Sequence, residues 1–213
     1  MDNLDDIGDR IRQHLEEKNV VRDRALQHSR TLIRHCSKAI RAAHREDRKL
    51  ARQHLTQAAE LVAALKTELE PFPDLYHAGY TQSGLKEFAE ANIFDALSSG
   101  DPLPTPEQLD VDYVPYLGGL GEAAGELRRR VLDILRHDRI TEAERLLEAM
   151  DEIYGLLVTI DFPDALTSNL RRTTDMVRGV TERTRGDLTT SFQGSELRQA
   201  LEAVHSKLKE LDL

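Results

Sequence analysis

Two pairs of glutamates in this 213-residue chain have a spacing that would place their carboxylates side by side on helices. Glu87 and Glu90 are three residues apart in GLKEFAEANIF, and Glu122 and Glu126 are four apart in GGLGEAAGELRRR. Residues at these spacings share one helix face. Four converging carboxylates would repel one another unless a cation neutralised them, and Mg²⁺ or Mn²⁺ suits such hard oxygen ligands. Held in this way, a metal ion can activate water for hydrolysis of a phosphodiester.

The same spacing also fits arrangements without a catalytic metal. Glu126 can form an ion pair with Arg130, four residues further on, while Glu87 and Glu90 are simply solvated. A di-iron site of the ferritin type requires two Glu-x-x-His pairs on different helices, and the chain contains one, Glu202 with His205. Spacing alone disfavours the di-iron site and leaves both the metal site and the ion pair open.

A basic segment precedes the glutamates. Between Val20 and Ala58, ten Lys or Arg residues stand against three Asp or Glu, although the whole chain has 29 basic and 38 acidic residues and a net charge of −9. A row of such phosphate-binding side chains would give salt-sensitive, largely sequence-independent affinity for nucleic acid. A solvated or inter-subunit salt-bridged face is the alternative. Their spacing of three or four residues predicts one helical stripe formed by Arg30, Arg34, Lys38, Arg41, Arg45, Arg48 and Arg52.

The hydropathy pattern predicts an all-α protein, a single-domain seven-helix bundle over residues 1–213 with a long N-terminal helix. Pro71 and Pro73 end the second helix, and the third is expected to break near Gly79 or Gly84. The seven helices are predicted at about 4–43, 47–70, 74–97, 112–137, 141–157, 161–185 and 195–213.

Capping residues support several of these boundaries. Thr105 and Gln108 fit a capping box inside the main loop. Thr141 with Glu144 is predicted to cap the fifth helix, and Ser195 is predicted to cap the seventh.

Other features of the sequence limit the location of the protein. No apolar run approaches the length needed to cross a bilayer, and the acidic start MDNLDDIGDR lacks the pattern of a signal peptide. The one cysteine, Cys36, can form no internal disulfide. A cytoplasmic protein without a membrane association is expected.

Three segments together resemble the translin family, and most closely its factor X branch: GLKEFAEANIF, DVDYVPYLGGLGEAAGELRR and FPDALTSNLRRTTDMVRGVTERTRG. The resemblance spans nearly the whole chain. It implies a seven-helix fold, closed homo-oligomeric shells commonly of eight subunits, and binding of single-stranded RNA, with single-stranded DNA as a second ligand.

The factor X branch implies an Mg²⁺-dependent endoribonuclease whose acidic residues match Glu87, Glu90, Glu122 and Glu126. Glu122 stands where the branch has Asp, so its carboxylate is one methylene further from the backbone. The expected function is therefore cleavage of single-stranded RNA, with Mg²⁺ or Mn²⁺ held by these four side chains. A noncatalytic nucleic-acid-binding shell and a protein-binding helical scaffold are the alternatives.

A further segment departs from the translin pattern. The aromatic and basic run of translin is reduced to DLYHAGYTQ, in which Tyr76, His77 and Tyr80 are its remnants. This departure argues against DNA recognition of the translin kind.

Overall fold

The computed structural model describes residues 3–210, and every regular element within that range is a helix. The all-α class is therefore confirmed. The sequence predicted seven helices. The described residues form six long helices and three four-residue helices. In chain order they are α1 (Leu4–His44), α2 (Arg48–Leu69), α3 (Pro73–Tyr76), α4 (Gly79–Ser99), α5 (Pro106–Leu109), α6 (Tyr113–Leu135), α7 (Ile140–Thr159), α8 (Asp164–Thr167) and α9 (Leu170–Glu210).

The described residues divide into two compact units, one ending at Leu120 and the other beginning at Gly121. The division falls inside α6, which continues through it as one helix. The organisation of residues 1–213 as one domain stays a prediction.

In the first unit, α1 packs against both α2 and α4. The apolar residues of α1 that face these helices are buried, including Leu32 and Cys36, which have no exposed surface. Val62 of α2 and Phe94 of α4 are buried as well. Burying an aliphatic or aromatic side chain of this size stabilises the folded state by about 1.5–3 kcal/mol. This shared core holds α4 against α1.

Two predicted local features lie in this unit. The third helix is interrupted before Gly79, as expected, and the Thr81 hydroxyl donates to the Leu75 carbonyl across the break. The capping box is also confirmed, because the Gln108 amide donates to Thr105 Oγ1 while the Thr105 amide donates to Gln108 Oε1.

The second unit is held by packing of α7 against α9. The cap predicted at Thr141 with Glu144 is wrong: α7 begins at Ile140, and no side-chain cap bond closes its end. The turn that precedes α7 is made by Asp138, which adopts a left-handed conformation with φ 56°. Arg139 then forms an ion pair with Glu142 across the first turn of α7.

The sixth and seventh predicted helices form one helix, so the cap predicted at Ser195 is wrong. Residues 170–210 contain no proline that would end a helix. A glycine such as Gly194 costs a helix only about 1 kcal/mol, which is too little to end a helix of this length. The break lies instead at Ser168 and Asn169, which both adopt positive φ between α8 and α9.

Within residues 3–210, no helix is both long and apolar enough to span a membrane.

Candidate metal centre and nucleic-acid interface

The first pair of predicted ligands lies on α4. Glu87 is half-buried, and Glu90 is only 7% exposed although it carries a carboxyl group. Phe94, one turn further along, is fully buried. A carboxylate this deep in a protein requires compensating partners or a cation. Glu90 is therefore the most constrained of the four predicted ligands.

The negative charges of this pair influence a buried cysteine of α1. Burial raises the pKa of the Cys36 thiol, and the negative charges of Glu87 and Glu90 raise it further. The thiol consequently stays protonated at neutral pH. It lies near the acidic face of α4 without contributing a thiolate.

The start of α6 approaches α4 closely because α6 has glycine at the contact. A Cβ atom at Gly119 would lie 2.7 Å from the Ala89 Cβ and 2.8 Å from the Glu90 backbone nitrogen. At Gly118 the same atom would lie 3.0 Å from the Lys86 Cγ. Any larger residue at position 119 would push the two helices apart. The glycines of the GGLGEAAGE segment thus bring the α6 backbone to α4.

Glu122 follows Gly119 by three residues on the same continuous helix, so it lies on the side of α6 that faces α4. One carboxylate oxygen from each of Glu87, Glu90 and Glu122 lies within 4.8 Å of the other two. We call these three residues the glutamate trio. Three hard oxygen donors at this separation fit the coordination chemistry of Mg²⁺ or Mn²⁺. The trio can bind a metal ion.

Glu126, the fourth predicted ligand, lies one turn beyond Glu122 on α6 and is half-buried. Its Oε2 atom is 3.8 Å from Arg129 Nη1, three residues along the helix. Arg130, the ion-pair partner considered from spacing, is buried and forms an ion pair with Glu142 of α7 at 3.1 Å. The role of Glu126 as a ligand stays a prediction.

Sequence reasoning did not single out Lys86. Its side chain lies against Gly118, and it immediately precedes Glu87 on α4. Lys86 lies four residues before Glu90, and this spacing on a helix is the sequence signal that could have indicated its proximity to the carboxylates. A cation in this position lowers the repulsion among neighbouring carboxylates.

The predicted basic side chains of α1 are solvent-exposed. Arg41 Nε donates to the Ser37 carbonyl, which holds this guanidinium along the helix. No ion pair within residues 3–210 involves the stripe residues Arg30, Arg34, Lys38, Arg41 and Arg45, all of which are exposed. We call these five residues the basic stripe.

Arg48 and Arg52 do not continue this row, because they lie on α2. Arg48 Nη2 is 2.5 Å and Arg52 Nη2 is 3.0 Å from Asp101 Oδ2, which follows α4. Their charge is therefore partly neutralised. The stripe ends at Arg45 because residues 45–47 form the turn between α1 and α2.

Two of the three remnants of the aromatic segment, Tyr76 and His77, border a cavity of about 490 Å³ together with Lys66 and Asp112. The Tyr76 ring meets His77 edge-on, with 5.1 Å between ring centroids. Burial raises the pKa of Tyr76 to about 12, with further contributions from Asp112 and Asp110.

The fold and the trio define an all-α protein in which two packed helices gather three carboxylates. No family model matches the chain. Uncharacterized protein MJ0175 of Methanocaldococcus jannaschii is 33% identical over 199 residues, which cover 92% of this chain and 88% of that protein. The crystal structure of AfC3PO is 34% identical, with a TM-score of 0.82, and covers 87% of this chain and 97% of that chain. The chain belongs to the translin family, as these C3PO structures do.

Two further structures extend the comparison. AfC3PO has also been solved in a complex with duplex RNA, again with 34% identity and a TM-score of 0.82, over 87% of this chain and 96% of that chain. Apo-NeC3PO is 25% identical with a TM-score of 0.74, over 90% of this chain and 98% of that chain. The predicted family and fold are confirmed.

Proposed function

We propose that this protein is a metal-dependent endoribonuclease that cleaves single-stranded RNA as a homo-oligomer. The observation that carries the proposal is the glutamate trio, in which carboxylate oxygens from α4 and α6 lie within 4.8 Å of one another. Family membership supports RNA as the ligand, since the related AfC3PO has been solved with RNA bound.

The residues of the trio would have different tasks. Glu90 is buried and therefore held in one position, which suits a ligand that fixes the site. Glu87 and Glu122 are half-buried and accessible, so either can accept a proton from the attacking water. Mg²⁺ or Mn²⁺, when bound, supplies a Lewis acid that activates water and stabilises charge on the phosphate. Glu126 is proposed as an additional ligand or base one turn along α6.

The basic stripe would bind the RNA backbone. Four of its side chains are exposed on consecutive turns of α1 and the fifth, Arg45, directly follows that helix, which suits contact with successive phosphates. Phosphates are the same in every sequence, so we expect affinity with little sequence preference. Cleavage of single strands is proposed because an open strand can bring one phosphate at a time to a carboxylate cluster.

Assembly is supported by exposed apolar side chains at both ends of the described chain. Ile11 and Leu15 on α1 are 54% and 56% exposed, and Leu197 and Leu201 on α9 are 63% and 61% exposed. Both sets follow the three- or four-residue spacing of a helix contact. A second copy of the chain would cover them, and a shell of up to eight subunits is the proposed form.

The test is RNA cleavage with and without metal. Labelled single-stranded RNA and the matching duplex are incubated with the protein in Mg²⁺, in Mn²⁺ and in EDTA. The proposal expects single-strand cleavage that EDTA abolishes. Metal-dependent cleavage of the duplex alone would overturn the strandedness, and binding of RNA without cleavage would favour a noncatalytic RNA-binding oligomer.

A further inference from the structure

A histidine pair joins α1 and α2 away from the glutamate trio. His35 of α1 and His54 of α2 are both half-buried, and their Nδ1 atoms lie 3.2 Å apart. The ring centroids are 5.3 Å apart. Gln57, one turn beyond His54, places its Oε1 atom 3.2 Å from the same His54 nitrogen. Two potential ligand atoms, His35 Nδ1 and Gln57 Oε1, therefore lie beside the same nitrogen of His54.

Hydrogen bonding can satisfy this arrangement only if one N–H is shared between two acceptors. A neutral imidazole carries a single N–H, and an amide oxygen can only accept. If His54 Nδ1 carries the proton, its single N–H must serve both Gln57 and His35. If His35 donates instead, the lone pair of His54 occupies that bond and the Gln57 oxygen faces no proton. A cation, by contrast, can accept a lone pair from each of the three groups without any shared proton.

The distances match a metal ion. Zinc binds imidazole nitrogen at about 2.0–2.1 Å, so two such ligands at a tetrahedral angle lie about 3.3 Å apart. Both measured separations, 3.2 Å from His54 Nδ1 to each partner, are close to that value. Nitrogen donors select Zn²⁺, Ni²⁺ or Cu²⁺ over Mg²⁺, unlike the carboxylates of the trio.

The electrostatic surroundings keep the His35 ring in its neutral, metal-binding form. Burial lowers the pKa of His35, and His54, Lys38 and Arg34 lower it further. The imidazole is therefore neutral at neutral pH, as metal binding requires. The positive charges of Lys38 and Arg34 oppose a cation, so binding depends on strong nitrogen donation.

We propose that His35, His54 and Gln57 form a transition-metal site that ties α1 to α2. The ion would complete its coordination with water, since all three side chains are partly accessible. Its charge would lie beside Arg34 and Lys38 in the basic stripe. The site is independent of the metal proposed for the glutamate trio.

The test is titration of the full-length protein with Zn²⁺, read by competition with a coloured chelator. The wild type is compared with a His35→Gln/His54→Gln double variant, with His137→Gln as the matched control at an exposed histidine, and with Glu90→Gln to remove a trio ligand. The double variant is expected to lose one Zn²⁺ equivalent, while the His137 and Glu90 variants keep it. Each single histidine variant should bind at least tenfold more weakly. Unchanged stoichiometry and affinity in the double variant would overturn the site.

A second measurement does not depend on how the variants fold. Cu²⁺ added to the wild type at one equivalent should give an electron paramagnetic resonance spectrum with coupling to two imidazole nitrogens. A spectrum of oxygen ligands alone would assign the bound metal to carboxylates and overturn the proposal.

Discussion

Gly119 of α6 lies so close to Ala89 of α4 that a Cβ atom at position 119 would stand 2.7 Å from the Ala89 Cβ. The same atom would meet the backbone nitrogen of Glu90 at 2.8 Å. The closeness of these two helices is what brings Glu122 to the pair on α4. An absent side chain therefore supports the candidate metal centre as directly as the carboxylates do.

Gly119→Ala is expected to destabilise the protein, because neither the backbone of α4 nor Ala89 can move away cheaply. Overpacking of this kind costs about 1–3 kcal/mol. Urea denaturation measures the loss of stability, and Mn²⁺ binding should weaken in the same variant. The control is Gly125→Ala on the same helix, where a Cβ would meet nothing within 4 Å. That change should leave stability level or raise it by up to about 1 kcal/mol; equal stability of the two variants would contradict the close contact.

Charge reversal in the basic stripe tests the RNA interface. Arg34→Glu combined with Arg41→Glu should weaken RNA binding and flatten its dependence on salt, by about 0.7 in slope for each phosphate of a single strand that the protein no longer neutralises. Fluorescence anisotropy across a series of salt concentrations provides the slope. Arg172→Glu with Arg183→Glu, two exposed arginines on α9, is the matched control. A slope that stays at the wild-type value would assign the stripe to another role, provided that light scattering finds the assembly unchanged.

The ion pair between Arg130 and Glu142 is expected to stabilise the second unit. Arg130 is 6% exposed, and its Nη2 atom lies 3.1 Å from Glu142 Oε1. Glu142→Gln removes the charge opposite a buried guanidinium and should cost about 1–3 kcal/mol of the free energy of unfolding. Glu148→Gln, at an exposed position on the same helix, should change it by no more than about 0.5 kcal/mol. Similar losses of unfolding free energy in both variants would show that the ion pair does not stabilise the second unit.

Tyr76 is expected to make stability depend on alkaline pH. Its pKa of about 12 in the folded protein exceeds the value of about 10 for an unfolded chain, chiefly because of burial. The folded state thus favours the neutral phenol, and this contribution is complete below about pH 10 and is lost as pH rises toward about 12. Tyr76→Phe should reduce the alkaline decline in denaturation experiments. The same decline in the variant and the wild type would rule out this assignment.

Local signals in the sequence were sufficient for several features. The Thr105–Gln108 capping box and the break before Gly79 were predicted because each depends on residues only a few positions apart. The start of the predicted seventh helix depended on a cap at Ser195, but the helical pattern is uninterrupted there and the residue lies inside α9. Capping residues therefore predicted the start of a helix correctly only where the chain also makes a turn.

Features that depend on distant residues were not predictable in the same way. By spacing, Arg48 and Arg52 extend the basic stripe, but both form ion pairs with Asp101, about fifty residues further along the chain. The convergence of Glu87 and Glu90 with Glu122 was inferred from residue type and family resemblance, whereas the means of convergence, the Gly119–Ala89 contact, required the structure. The His35–His54 pair had no sequence signal beyond two histidines nineteen residues apart.

The proposed function depends on a single catalytic metal site formed by the glutamates. The most direct measurement is the rate of Mg²⁺-dependent cleavage of single-stranded RNA by the glutamine variants of Glu87, Glu90, Glu122 and Glu126, with Glu60→Gln on α2 as the exposed control. We expect each trio variant to lose most of its activity while RNA binding persists, and combined variants to lose little more than single ones, because ligands of one site act as a unit. Glu60→Gln should retain full activity. Wild-type cleavage rates in the Glu87, Glu90 and Glu122 variants would exclude a catalytic role for the trio and leave an RNA-binding oligomer without this catalytic centre.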